Sequence, residues 1–168
     1  MKLSDYMAAV AASVASTGER TGRQMVLAVD CSAGGDADVA NYAVVANHIE
    51  NHGAALKAKT VDKSYIGEGD STLKTSTQRT FNVTGQLLRG DDFQDFCVSH
   101  DIAFGVGTEI VRKYVYFDPG TGDGEKGELA IIVNNDGAAA ASDPADIDIL
   151  LAVAGTPDEY TYSAGSNT

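Results

Sequence analysis

Apolar and polar positions alternate with a period of two over residues 80–87, where Phe81, Val83 and Leu87 are interleaved with Thr80, Asn82, Thr84 and Gln86. This period predicts a strand with one buried face. Gly85 interrupts it and predicts a bulge or bend. After Arg89-Gly90 the period becomes helical, with Phe93, Phe96 and Cys97 on one face and Asp92, Gln94 and Asp95 on the others. Asp91 is the expected N-cap of a short helix over about residues 91–99. Gln94, three residues on, is placed to complete a capping box, and Asp92 and Asp95 suit the positive helix end. The apolar run 110–117 returns the chain to strand, so a short helix packed on or beside a sheet is expected.

The same reading extends to the rest of the chain. Leu3, Met7, Val10 and Val14 place an apolar stripe on an alanine-rich N-terminal helix with Gly18 as its C-cap. A signal peptide competes for this segment, but Asp5 intrudes and the run is alanine with few large apolar groups. Strands are expected over 24–30, with Met25, Leu27 and Val29 on one face, then over 41–46 and 54–61. Residues 62–76 are polar and contain glycine, and they read as a loop long for a compact domain. A hairpin tip is expected over 118–128, with Asp123-Gly124 as its turn, followed by a strand over 129–133 and the turn signal of 134–137. In the last predicted strand Ile147, Ile149, Leu151 and Val153 form an apolar row, with Asp146 and Asp148 on the opposite face. Residues 159–168 read as a tail.

Composition narrows the class. A chain of 168 residues supports one core, and 43% hydrophobic residues without a long apolar run describe a soluble globular protein with no membrane-spanning helix. The net charge of −12 is uneven: residues 1–80 carry 9 acids and 8 bases, residues 81–168 carry 15 acids and 4 bases. Arg89, Arg112, Lys113 and Lys126 are too few to replace the counterions of a nucleic acid on that half. A solvated acidic surface is the plain explanation for the excess.

Candidate chemistry is sparse. No nucleophile-elbow, phosphate-loop, dinucleotide or zinc-protease motif occurs, so no enzyme, cofactor or metal site is expected. His100 beside Asp101 reads as a histidine at a helix C-terminus. His48 and His52 flank Glu50 at a metal-compatible spacing, but no third ligand is suggested nearby, and solvated or interfacial histidines are the preferred reading. Asp118, Asp123, Glu125 and Glu128 lack the alternating positions of a calcium loop. Cys97 reads as a small core residue, and nothing supports its pairing with Cys31; a reduced, cytosolic setting is expected.

The order RTFNVTGQ, GDDFQDF, a hairpin carrying DPGTGDGEKGE, and a final strand before Gly155 resembles the tail tube (major tail) proteins of tailed bacteriophages, over roughly residues 22–155. The resemblance implies a mainly β (α+β) fold: a β-sandwich or barrel with a short flanking helix, preceded by an N-terminal helical arm over 1–21 and followed by a C-terminal tail over 156–168. In this family the first strand usually comes sooner, so the N-terminal arm is a departure. The resemblance further implies homohexameric rings stacked into a hollow tube in the virion tail, assembled in the cytoplasm of the host bacterium. Tape-measure, tail-tip and tail-terminator proteins, and a sheath if the tail contracts, are the implied partners. DNA would pass through an acidic lumen without specific binding and without a membrane contact, with Asp146 and Asp148 as lumen-facing residues. The 62–76 segment would reach a neighbouring subunit or ring through Tyr65, Ile66 and Leu73; a plain mobile loop accounts for it equally well. The tube protein of a type VI secretion or related injection system and a secreted β-sandwich binding module are the alternatives.

Overall fold

The computed structural model describes residues 1–10, 18–19, 21–35 and 37–163. Helix α1 (Leu3–Val10) opens the chain, followed by the short strands β1 (Val26–Val29) and β2 (Ala43–Val44). The long strands β3 (Ile49–Tyr65) and β4 (Gly69–Gln86) form a hairpin. Helices α2 (Asp92–Cys97) and α3 (His100–Ala103) lead to β5 (Val111–Phe117), β6 (Asp123–Asp136) and β7 (Asp146–Thr161). The strands form one antiparallel sheet of seven in the order β2-β1-β5-β6-β7-β4-β3.

This sheet folds over on itself. Phe81 of β4 lies three strands from β5 in the order, yet its ring centroid is 5.6 Å from Tyr114 and 5.0 Å from Tyr116. His52 of β3 meets Tyr116 edge-on, and its Nε2 lies 3.2 Å from the Met25 carbonyl oxygen. The expected sandwich is therefore made by one curled sheet. Its inner layer holds Leu27, Val29, Phe81, Val83, Leu129, Ile131 and the full predicted row Ile147, Ile149, Leu151 and Val153. Phe93, Cys97 and Ile102 from the two short helices close this core.

A second apolar cluster lies on the outer face of β1 and β5, where Val26, Ala28, Val115 and Phe117 are covered by Leu3 and Met7 of α1 and by Tyr42. All four residues of β1 are consequently buried, where a single buried face was expected. The N-terminal helix packs on its own subunit: the Leu3 N–H donates to the Tyr42 carbonyl at 2.8 Å. Val14, expected on its stripe, lies outside the described residues.

Several boundaries differ from the pattern-based expectations, each for a physical reason. The predicted strand over 41–46 shrinks to two residues, preceded by a 3-10 turn at Val39–Asn41 that Asp38 caps. Residues 62–76 are not a loop but most of a β-ribbon closed by a tight turn, where Gly67 and Gly69 take positive φ. Alternation reveals only strands with a buried face, and this ribbon has none; its Thr60, Val61, Thr72, Thr75 and Thr77 carry β-propensity without periodicity. The hairpin turn after β5 is made by Asp118 to Gly122, with the Gly122 N–H donating to the Asp118 carbonyl at 2.7 Å. Asp123 and Gly124 already belong to β6. β7 continues to Thr161, and Tyr160 and Tyr162 pack on Phe117.

The predicted single helix over 91–99 is two. α2 ends at Cys97, and His100 opens α3 rather than closing α2, its ring packing at a tilt on Phe104 with centroids 5.0 Å apart. Asp91 is the N-cap as expected, accepting from the Gln94 N–H at 3.2 Å. Gln94 does not complete the capping box. Fully buried, it accepts from the Leu88 N–H at 2.8 Å and donates to the Asn47 carbonyl at 2.7 Å, tying the exit of β4 to the approach of β3.

Gly85 marks the irregularity the pattern predicted, at the shift where Ile49 and Asn51 face Gly85 and Thr84, leaving Glu50 unpaired on the other strand. A Cβ at Gly85 would stand 2.2 Å from the His48 carbonyl oxygen and 2.8 Å from Ile49 Cα, both backbone. Gly85→Ala is therefore expected to destabilise the fold by about 1–3 kcal/mol, read as a lower urea midpoint.

Candidate assembly surfaces

β4 has strands on both sides only over Thr80–Gln86, where it pairs with β7. Beyond Thr80 the β3–β4 ladder continues alone from Leu56↔Arg79 to Tyr65↔Gly69. At about 3.3 Å per residue this two-stranded arm extends on the order of 30 Å. A register shift at Thr75 bends it, with the Thr75 hydroxyl donating to the Lys59 carbonyl at 3.1 Å. Tyr65, Ile66 and Leu73 all lie on this arm and all are exposed, Ile66 at its tip. The structure thus gathers the three residues on one projecting element, together with Leu56 and Val61, which belong to the strand expected over 54–61 and are also exposed on it.

The root of the arm is pinned by a residue that periodicity does not single out. Arg79 donates through Nε and Nη2 to the two carboxylate oxygens of Glu125 on β6, at 2.8 and 2.9 Å. The Tyr114 hydroxyl donates to the same carboxylate at 3.1 Å, and the Arg79 guanidinium stacks over Phe81 and Tyr116. Burial, then the adjacent Glu125 charge, raises the Tyr114 pKa, and the Glu125 hydrogen bond raises that of Arg79. Both groups therefore hold one protonation state throughout the neutral range, and the clamp is a fixed structural device.

The outward face of the body sheet is set by register. One row runs Ala55, Thr80, Ala152, Ala130, and the next runs Gly53, Asn82, Leu150, Ile132. Asp148 stands opposite Thr84 and Asp146 opposite Gln86 on this same face. Asp146 is exposed, whereas Asp148 is partly buried with its Oδ1 lacking a hydrogen-bond partner. A further exposed apolar pair, Phe104 and Val106, follows α3.

Asp91, Phe93 and Cys97 are buried in the helix-to-sheet packing and Phe96 partly so, beneath the Arg112 guanidinium. Burial, followed by the charge of Asp30, pushes the Cys31 thiol up to about 12, so it is protonated and unreactive near neutral pH. His48 occupies the turn before β3 at φ 56°, while His52 faces Met25 and Tyr116. Among the described residues no three His, Cys, Asp or Glu side chains are grouped to hold a metal ion, and no helix is long and apolar enough to cross a membrane.

No protein-family model and no curated protein sequence matches the chain. Solved structures do. The tail of an empty gene transfer agent particle, computed by helical refinement with C6 symmetry, aligns with a TM-score of 0.61 at 16% identity, over 86% of this chain and all of the other. A chain in the virion of a native gene transfer agent particle aligns with a TM-score of 0.57 at 15% identity, over 85% of this chain and all of the other.

The Arg79–Glu125 clamp makes a direct prediction. Arg79→Ala is expected to lower unfolding stability by about 1–3 kcal/mol, because it leaves a partly buried carboxylate with the Tyr114 hydroxyl in place of a two-pronged cationic partner. Arg79→Lys recovers only part of this, since an ammonium cannot supply the two-pronged geometry; chemical denaturation of the three proteins measures both. The mainly β fold seen here is one that this chain shares with a chain in the tail of a gene transfer agent particle.

Proposed function

We propose that this chain is the repeating subunit of a phage-like tail tube, with six copies in each ring and rings stacked into a hollow conduit for DNA. The observation that carries this reading is the arm. Its ribbon is exposed on both faces and displays Leu56, Val61, Tyr65, Ile66 and Leu73 to solvent, although an isolated two-stranded hairpin is marginally stable in water. Such an element needs a surface to lie on, and no other part of the subunit supplies one among the described residues beyond its root. The likeness to a tail reconstructed with C6 symmetry supports a six-fold ring of like subunits as that surface.

In this reading the free edge of β3, an end strand of the sheet, meets a neighbour laterally by strand addition, whereas the outer edge of β2 is already bonded within the subunit by Met1 and Leu3. The outward face of β4, β7 and β6 lines the channel. Its residues are small or polar apart from Ile132 and Leu150, with Asp146 and Asp148 at one end. Carboxylates repeated around a ring repel phosphate within a Debye length of about 8 Å at physiological salt, which keeps DNA from adhering in transit. A tape-measure protein, a tail tip that nucleates the first ring and a terminator that caps the last are the partners this role requires.

Negative-stain microscopy of concentrated, aged protein, alongside size-exclusion chromatography, tests the reading. Rings or hollow tubes with six-fold end views are expected. Closed assemblies of another symmetry, or small oligomers that neither close into rings nor grow with ageing, contradict it; monomer alone is what the need for a nucleating tail tip allows.

A further inference from the structure

The arm has two chemically different faces. Strand register puts Lys57, Lys59, Val61, Lys63 and Tyr65 of β3 on one face, together with Leu73, the cross-strand partner of Val61. The opposite face carries Leu56, Ala58, Thr60 and Asp62, with Asp70, Thr72 and Lys74 across from this row. On that face the Thr72 hydroxyl donates to Asp62 at 2.8 Å. The first face therefore has three lysines and no acid, and both acids of the ladder lie on the second.

We infer that the lysine face of the arm is a docking surface for the acidic body of a second copy of this chain. The inference rests on the assembly reading above and specifies which side of the arm makes the contact and by what chemistry. Charge argues for it first. Residues 56–78 hold 4 lysines and 3 acids, which leaves 8 bases and 21 acids in the rest of the chain. A weakly basic arm thus projects from a body with a net charge of −13, the difference between those 8 bases and 21 acids. Lys57, Lys59 and Lys63 are exposed and make no ion pair within the described chain.

The apolar residues among these lysines choose between partners. Val61, Tyr65 and Leu73 are 42%, 48% and 66% exposed on the same face. A face that served only to keep the arm in solution has no use for a cross-strand Val–Leu pair in its middle. A phosphate backbone offers that pair nothing to pack against, whereas a protein surface rich in carboxylates offers partners to both kinds of side chain. Copies also repel one another through their bodies, so the arm supplies the attraction that a strongly acidic subunit otherwise lacks.

The test mixes isotopically heavy and light protein at high concentration and applies a zero-length reagent that joins amines to carboxylates, with mass spectrometry as the readout. Heavy-to-light links from Lys57, Lys59 or Lys63 to body carboxylates are expected. They should fall several-fold between about 0.1 M and about 1 M NaCl, as the Debye length shortens from about 10 Å to about 3 Å. The combined Lys57→Glu, Lys59→Glu and Lys63→Glu variant should keep the wild-type circular dichroism and lose self-association; the corresponding Arg variant should retain it.

Absence of heavy-to-light links from these lysines overturns the inference, as does a Glu variant that associates like wild type. Duplex DNA bound by wild type and released by the Glu variant, without links between copies, overturns it in favour of a nucleic-acid site. The two levels separate cleanly. Normal rings formed by the Glu variant sink the lysine face and spare the tube, whereas links between copies in assemblies that are not rings do the reverse.

Discussion

The constraint on which this structure turns is the point at which β4 loses its second neighbour. From Gln86 to Thr80 the strand sits between β3 and β7 and shares the inner core; from Arg79 onward it has β3 alone. Beyond this root, nearly every side chain on both faces of the arm is left to solvent in the isolated subunit. Arg79 stands at that boundary. Its two-pronged contact with Glu125 fixes the arm to β6 just where sheet pairing stops supporting it.

The body is built to hold that root still. Curling one sheet brings Phe81 onto Tyr114 and Tyr116, so the last buried aromatic of β4 is locked against β5 immediately before the strand leaves the core. At the other end the buried Gln94 side chain bridges the backbone of Leu88 and of Asn47, coupling the helical segment to both long strands. α1 then covers the outer face of β1 and β5, leaving the face of β4, β7 and β6 as the open side of the sheet. One side of the subunit is sealed and the other is available.

How much of this was legible in the sequence depends on burial. The row Ile147, Ile149, Leu151 and Val153, the pair Phe81 and Val83, and the helix opened by Asp91 were all readable, because each has one face in the core and one outside it. The first part of the arm fell within the strand expected over 54–61, but residues 62–76 were readable only as a long polar segment, since a ribbon wetted on both faces has no period of two to detect. β1 misled in the opposite sense: covered on both faces, it showed no polar alternation to place its second neighbour. Gln94 looked like a surface capping residue because its partners, Leu88 and Asn47, are remote in the pattern and meet only in the fold. Tyr65, Ile66 and Leu73 were found through family resemblance, and the fold puts them on one element without itself assigning their partner.

Hydrogen–deuterium exchange of the arm, compared between dissociated and assembled protein, tests the central claim most directly. If the arm's missing packing surface is another subunit, amides over residues 57–78 exchange quickly in the monomer and slow markedly on assembly, while those of the β4–β7 ladder change little. Arm amides that exchange at the same rate in both states would contradict the account, because the ribbon would then be free in the assembly as it is in the single chain.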